Sequence, residues 1–157
     1  MNIAVILAGG SGTRLGNDIP KQFLKVAGKK VLEHTIEVFE NAKNIDEICI
    51  VSRIDCINDV ESIVVNNGYL KVKKILAGGK ERYDSSLAAI HAYPNGNHNL
   101  LFHDAVRPLL TERIINDCLS ALEKYNAVDV AIKTTDTIIQ VDEQKCITAI
   151  PNRSELR

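Results

Sequence analysis

The chain has 157 residues, a net charge of −1 and an apolar fraction of 45%. That length suffices for one domain with a real core, and the charge balance excludes the basic face of a nucleic-acid binder or a polybasic membrane surface. No apolar stretch approaches a membrane span, and the amino terminus reads as a strand rather than a signal peptide.

Ile3-Ala4-Val5-Ile6-Leu7 is an apolar run of the kind that forms a buried strand of a parallel sheet. It leads into a glycine-rich, basic loop, Ala8-Gly9-Gly10-Ser11-Gly12-Thr13-Arg14-Leu15-Gly16, followed by Pro20-Lys21-Gln22. Glycines let backbone N–H groups approach an anion closely, while Arg14 and Lys21 add a planar fork and a point charge. Phosphate binding is therefore expected at this loop. A Walker A loop would need Gly-Lys-Ser/Thr, which does not occur. A dinucleotide loop would need G-x-G-x-x-G, and after Gly10 and Gly12 the next glycine, Gly16, falls one place late. The second strand also ends at Ser52-Arg53 instead of an acid for a ribose, which argues against NAD.

Further along, Val31 to Lys43 is predicted as a helix with Leu32, Thr35, Ile36, Phe39 and Ala42 on one face. Glu47 to Val51 reads as the second strand, and Ile57 to Asn66 as a helix ended by Gly68. Val72 to Leu76 is the third strand, running into Gly78-Gly79-Lys80-Glu81-Arg82, with a helix from about Ser85 to His91. Asn99 to His103 is the fourth strand and ends in Asp104-Ala105-Val106-Arg107-Pro108. Thr111 caps a helix with apolar Ile114, Ile115, Cys118, Leu119 and Leu122. Val128 to Ile132 is expected as a fifth strand, and Thr137 to Val141 with Cys146 to Ile150 as a strand pair around Asp142-Glu143. The alternation of strands and helices predicts an α/β fold with a mainly parallel sheet. Of the four cysteines, which lack metal-ligand spacing, Cys49 and Cys118 are read as reduced core residues. A cytoplasmic protein is expected.

In a parallel sheet the loops at 8–21, 78–85 and 103–108 converge on one rim. That rim would collect Arg14, Lys21, Lys80, Arg82, Asp104 and Arg107, a setting for several phosphates and a Mg²⁺ ion held by one carboxylate. Asp104 and Arg107 have a second reading, as a pair closing a tight turn, and Glu81-Arg82 as a solvated helix start. His103 is read as packed or hydrogen-bonded. His34 and His91 fall within helices, His98 in a polar turn, and no Ser/His/Asp or Cys/His pattern emerges.

Four motifs in order, Leu7-Ala8-Gly9-Gly10-x-Gly12-x-Arg14 with Pro20-Lys21-Gln22-Phe23, Gly78-Gly79-x-Glu81-Arg82-x-x-Ser85, His103-Asp104-Ala105-Val106-Arg107-Pro108 and Asp136-Thr137-Ile138, resemble the cytidylyltransferase family that acts on sugar-alcohol phosphates. The resemblance spans almost the whole chain. Leu-Ala-Gly-Gly, Pro-Lys-Gln-Phe, Asp-Ala-Val-Arg-Pro and Ala127-Val128-Asp129 are more similar to its ribitol-phosphate branch than to its methylerythritol-phosphate branch.

The resemblance implies a three-layer Rossmann-like nucleotidyltransferase fold, a single domain over 1–157 with a protruding β-arm at 137–153, and a homodimer joined through that arm. It implies Leu7, Ala8, Gly9, Gly10, Gly12 and Thr13 against the nucleotide, Gly79, Lys80, Arg82 and Ser85 around cytosine and ribose, and Arg14 and Lys21 on the triphosphate as catalytic cations. It further implies Asp104 beside ribose and Mg²⁺, and Arg107, Asp136, Thr137 and Arg153 toward the acceptor, with Arg153 reaching a neighbouring subunit. CTP and a sugar-alcohol phosphate are the implied substrates. Family members continue past this point with a Thr-Pro-Gln segment, so a truncated domain is expected. Rival expectations are a hexose-1-phosphate nucleotidyltransferase using UTP or dTTP, a non-catalytic nucleotide-binding module and, last, a dinucleotide-binding domain.

Overall fold

A computed structural model describes residues 1–10, 19–94 and 96–157. They fall into two compact units, Met1–Ser120 and Ala121–Arg157, each taken by itself below.

In the first unit, β1 (Asn2–Ala8) is followed by a short antiparallel hairpin, β2 (Lys25–Val26) and β3 (Lys29–Lys30), which leads directly into α1 (Val31–Asn41). Then come β4 (Glu47–Ser52), α2 (Ile57–Asn67), β5 (Val72–Ala77), α3 (Arg82–His91), β6 (Asn99–Asp104) and α4 (Glu112–Leu122). The four long strands form one sheet in the order β5-β4-β1-β6, with every pairing parallel. After β1 the chain builds outward on one side through β4 and β5, then returns to place β6 on the other side of β1. That reversal opens a crevice at the carboxyl ends of β1 and β6, where open α/β sheets hold ligands.

The strand residues are apolar on both faces because both faces are covered. On one face Ala4, Ile6, Ile48 and Ile50 pack with Leu32, Ile36 and Phe39 of α1, Val60 and Ile63 of α2 and Ile115 of α4. On the other, Ile3, Val5, Cys49 and Val51 pack with Ala89 of α3 and with Tyr93. Leu32, Thr35, Ile36, Phe39 and Ala42 are all buried, as the helical spacing predicts, although α1 ends at Asn41, short of Lys43. Gly68 ends α2 at φ +65°, a left-handed cap suited to glycine.

Two expectations need correction. Helix α3 starts at Arg82, three residues before Ser85, because the Asp84 carboxylate accepts the Glu81 N–H at 2.9 Å and so caps the first turn without a Ser or Thr ahead of it. Val128 to Ile132 forms no strand: its alternating Val128, Val130 and Ile132 are exposed and no ladder partner lies beside them among the described residues. β-propensity expresses packing within a sheet, and among the described residues no strand is paired with this segment.

The second unit carries the expected strand pair in shortened form, β7 (Gln140–Val141) antiparallel to β8 (Ile147–Ala149). Its turn is closed by Asp142, whose carboxylate accepts the N–H groups of Gln144 and Cys146 at 2.9 and 2.8 Å.

Candidate active site

The carboxyl rim of the main sheet holds a cleft of about 650 Å³, built within the Met1–Ser120 unit. Register makes the rim even: Leu7 lies beside Val51 and Asp104, and Ala8 beside Ser52. The end of β1 and the chain leaving it contribute Leu7, Ala8, Gly9 and Gly10, the chain leaving β4 gives Arg53, the segment between β5 and α3 gives Gly79, Lys80 and Glu81, and the first turn of α3 gives Arg82 and Ser85. The end of β6 gives Asp104, Ala105 and Val106.

Lys21 and Gln22 close the same cleft from a 3-10 turn, Lys21–Phe23, entered through Pro20. The Phe23 N–H donates to the Pro20 carbonyl at 2.9 Å, which fixes the turn. Gln22 is buried and its side-chain amide donates to the Ala8 carbonyl at 2.9 Å, fastening the turn to the end of β1.

Glycine is required where β5 meets α3. A Cβ at Gly79 would stand 2.2 Å from the Asp84 Cβ, and one at Gly78 2.5 Å from the Ser85 hydroxyl oxygen. The same hydroxyl would meet a Cβ at Gly9 at 3.6 Å. The first turn of α3 thus lies directly on two strand ends, and Ser85 is nearly fully buried between them.

Asp104 organises the charge. One carboxylate oxygen accepts from Arg82 Nη1 and the other from Arg107 Nε at 2.8 Å. Burial pushes its pKa up, but the two guanidiniums outweigh that and hold the carboxyl below its ordinary range. The pairing with Arg107 across the turn is therefore present, and its carboxylate is also part of the cleft wall. His103 is packed and hydrogen-bonded, with its ring Nε2 2.9 Å from the Arg107 carbonyl oxygen and its edge against Phe39.

Among the described residues no group of three or more His, Cys, Asp or Glu gathers to cage a metal. The donor set suits Mg²⁺ in its other mode, one carboxylate sharing the ion with phosphate oxygens, because each oxygen of Asp104 keeps lone-pair capacity beyond its arginine partner.

Of the sequence-predicted residues, Leu7, Ala8, Gly9, Gly10, Lys21, Gly79, Lys80, Arg82, Ser85 and Asp104 line the cleft, and Arg107 adjoins it through Asp104. Gly12, Thr13 and Arg14 lie outside the described residues. Asp136, Thr137 and Arg153 belong to the second unit, where Arg153 Nη2 donates to the Thr137 hydroxyl at 3.0 Å and Asp136 is exposed. Gln22, Arg53, Glu81, Ala105 and Val106 also line the cleft and were not among the predicted site residues. Gln22 looks like an ordinary polar neighbour of Lys21 until its acceptor is known. Arg53 was detectable as a cation directly after a parallel strand, a position where site residues collect.

The model of the 2-C-methyl-D-erythritol 4-phosphate cytidylyltransferase (IspD) family matches residues 2–157. The chain belongs to this family. It is 51% identical over 157 residues to a bifunctional ribulose 5-phosphate reductase/CDP-ribitol pyrophosphorylase of Haemophilus influenzae, covering 98% of this chain and 33% of that protein. It is 39% identical to the 2-C-methyl-D-erythritol 4-phosphate cytidylyltransferase of Thermobifida fusca, covering 98% of this chain and 64% of that one. The chain thus spans a third to two thirds of the length of these relatives. A solved 4-diphosphocytidyl-2C-methyl-D-erythritol synthase from Anaerococcus prevotii shares its fold at a TM-score of 0.83 and 30% identity, over 99% of this chain and 65% of that chain. The α/β nucleotidyltransferase fold expected from the motifs is the one found, and among the described residues no helix is long and apolar enough to cross a membrane.

Proposed function

We propose that this chain carries the nucleotide-binding and catalytic part of a cytidylyltransferase, which transfers CMP from CTP to a sugar-alcohol phosphate and releases pyrophosphate. The observation that carries the reading is the cleft at the strand reversal, where bare backbone at Gly9, Gly10 and Gly79 faces Lys21, Lys80 and Arg82 with one paired carboxylate, Asp104. D-ribitol 5-phosphate is the favoured acceptor, giving a CDP-alditol, on the strength of the 51% identity to the CDP-ribitol pyrophosphorylase. The family model and the Thermobifida fusca relative support 2-C-methyl-D-erythritol 4-phosphate as the second reading.

The chemistry follows from charge. A phosphate monoester carries close to two negative charges at neutral pH, its second pKa being about 6. An acceptor oxygen that attacks the α-phosphorus of CTP is already deprotonated, so the step needs no general base. Charge instead accumulates on the phosphoryl oxygens and on the departing pyrophosphate, and positioning plus cationic stabilisation dominate such transfers. Lys21, fixed by its 3-10 turn, and Arg14 are the proposed triphosphate cations. Mg²⁺, when bound, would neutralise phosphate charge, and Asp104 is the residue that would hold it. Arg107, Asp136, Thr137 and Arg153 are proposed for the acceptor.

The exposed apolar side chains of Ile138, Ile139, Val141, Ile147 and Ile150 around the β7–β8 hairpin support a homodimer formed through 137–153. Buried Cys49 and Cys56, both reduced, fit a cytoplasmic setting.

Pyrophosphate release from CTP with Mg²⁺ and either acceptor tests the reading. Release dependent on ribitol 5-phosphate supports it, release dependent only on methylerythritol 4-phosphate selects the second acceptor, and thermal stabilisation by NAD but not CTP would overturn both.

A further inference from the structure

We infer that Thr35 and His103 are positioning residues for Arg107: from behind the cleft they fix the turn that carries this arginine and so aim it at the acceptor phosphate. The inference rests on the proposal that Arg107 receives that phosphate, and it assigns a role to two polar side chains that the proposed chemistry does not use.

Arg107 needs support that Asp104 does not. Asp104 is the last residue of β6 and keeps its place in the ladder beside Leu7. Arg107 lies three residues further on, off the sheet, with its side chain 74% exposed. The chain between them turns back, the Arg107 N–H donating to the Asp104 carbonyl at 3.1 Å. Turns of this length often lack that bond, so it fixes little by itself. Ala105 anchors the near end, buried and donating its N–H to the Leu7 carbonyl at 3.0 Å.

Two side chains hold further carbonyls of this turn. Thr35 is fully buried on the inner stripe of α1. A threonine inside a helix commonly turns its hydroxyl back to the carbonyl four residues earlier, here that of Val31 at 3.4 Å. Instead the Thr35 hydroxyl lies 2.8 Å from the Ala105 carbonyl, across 70 residues of sequence. It has one proton, and the shorter contact takes it. His103 Nε2 lies 2.9 Å from the Arg107 carbonyl oxygen, and because a carbonyl only accepts, Nε2 carries the proton. The His103 ring meets Phe39 edge-on with 5.6 Å between centroids, one helical turn along α1 from Thr35. One stripe of α1 thus supports the turn at two points.

Neither Thr35 nor His103 is among the residues lining the cleft, so both act through Arg107. With its backbone held, the Arg107 guanidinium meets Asp104 from a fixed origin, Nε donating to Oδ2 at 2.8 Å. That bond uses Nε, and the two Nη groups have N–H donors to offer a phosphate. A forked contact of this kind demands a defined position, and a misplacement of about 1 Å is costly. The Asp104 carboxylate, held by the sheet, does not share that dependence.

Four variants of the full chain separate donor from shape. T35V and H103F keep volume or ring but lose the donor, whereas T35S and H103Q keep one. Amide hydrogen exchange should run at least about tenfold faster at the Arg107 N–H in T35V and H103F, with the β1 ladder amides unchanged. Calorimetry then titrates each protein with α,β-methylene CTP and Mg²⁺, which cannot transfer CMP, followed by ribitol 5-phosphate or methylerythritol 4-phosphate. T35V and H103F should take the nucleotide analogue like wild type but the acceptor about tenfold more weakly, and T35S and H103Q should approach wild type in both. Unchanged Arg107 exchange or unchanged acceptor affinity in T35V or H103F would overturn the inference. Equal losses for nucleotide and acceptor, or no rescue by T35S and H103Q, would do so too, marking the two side chains as packing alone. Wild type that takes the nucleotide but neither acceptor would overturn the role of Arg107 and this inference with it. Wild type that takes no nucleotide would overturn the proposed function itself, and the inference with it.

Discussion

The side-chain amide of Gln22 donates to the carbonyl of Ala8 across 14 residues of sequence, and both residues are buried. This bond ties the turn carrying Lys21 to the last residue of β1, so the two flanks of the glycine-rich loop are fixed to each other whatever the nucleotide does. Q22A removes the donor and leaves a gap beneath the cleft. It should cost about 1–3 kcal/mol of stability, measured by denaturant unfolding, and weaken CTP binding as well. Stability equal to wild type would mean that water or a neighbour replaces the amide fully.

Lys21 lines the cleft from a turn set by Pro20, without an ion-pair partner among the described residues. K21A should lower kcat by more than about tenfold, or about 1.4 kcal/mol of transition-state stabilisation. Melting should be unaffected. A normal rate in K21A would remove this lysine from the mechanism.

The glycines of the cleft separate into two kinds. At Gly79 an added methyl runs into the Asp84 side chain at the start of α3, so G79A should lose about 1–3 kcal/mol by unfolding measurements as that turn is pushed outward. At Gly10 nothing among the described residues lies within 4 Å of an added Cβ. G10A should therefore melt like wild type, and a selective loss of CTP affinity in it would show that the nucleotide occupies that space. G79A melting with G10A would contradict the packing described.

Glu33 joins the start of α1 to α2, accepting from the Lys30 N–H and, at 3.0 Å, from the Asn67 amide. Burial raises its pKa, but these bonds and the nearby lysines bring it below the ordinary 4.5. A carboxyl with a lowered folded pKa stabilises fully above its unfolded pKa and loses that contribution as pH falls through the folded value. Wild type should therefore melt above E33Q at pH 7, with the gap closing as pH drops below about 4.5. A gap independent of pH would assign the effect to packing.

Much of the sheet was legible because burial on both faces writes itself as apolar runs, as in Ile3 to Leu7 and Cys49 to Val51. The one-faced helices α1 and α2 were equally plain from the spacing of Leu32, Ile36 and Phe39 and from Gly68. Three things were hidden, each for a tertiary reason. The start of α3 depends on a side chain three residues inside the helix, Asp84, reaching back to the Glu81 N–H, and no N-cap Ser or Thr advertises it. Val128, Val130 and Ile132 alternate as a strand would, yet a strand exists only where a ladder partner exists. Gln22 and Arg53 become site residues only through an acceptor at Ala8 and a sheet order that puts β4 between β1 and β5. The cleft's own motifs were readable because backbone approach and anion charge restrict residue type locally.

The hydroxyl of Ser85 stands against Gly78 and, more loosely, Gly9, so three positions from three parts of the sequence occupy one small volume. Such positions are not free to drift separately. A Cβ at 78 would meet the Ser85 hydroxyl at 2.5 Å and both the Ser85 Cβ and Val51 Cγ1 at 3.3 Å, so a side chain there requires residue 85 to give way. Across descendants of this chain, 78 and 85 should therefore change together or not at all, while Gly10, which has no neighbour within reach of an added Cβ among the described residues, varies only as the ligand allows.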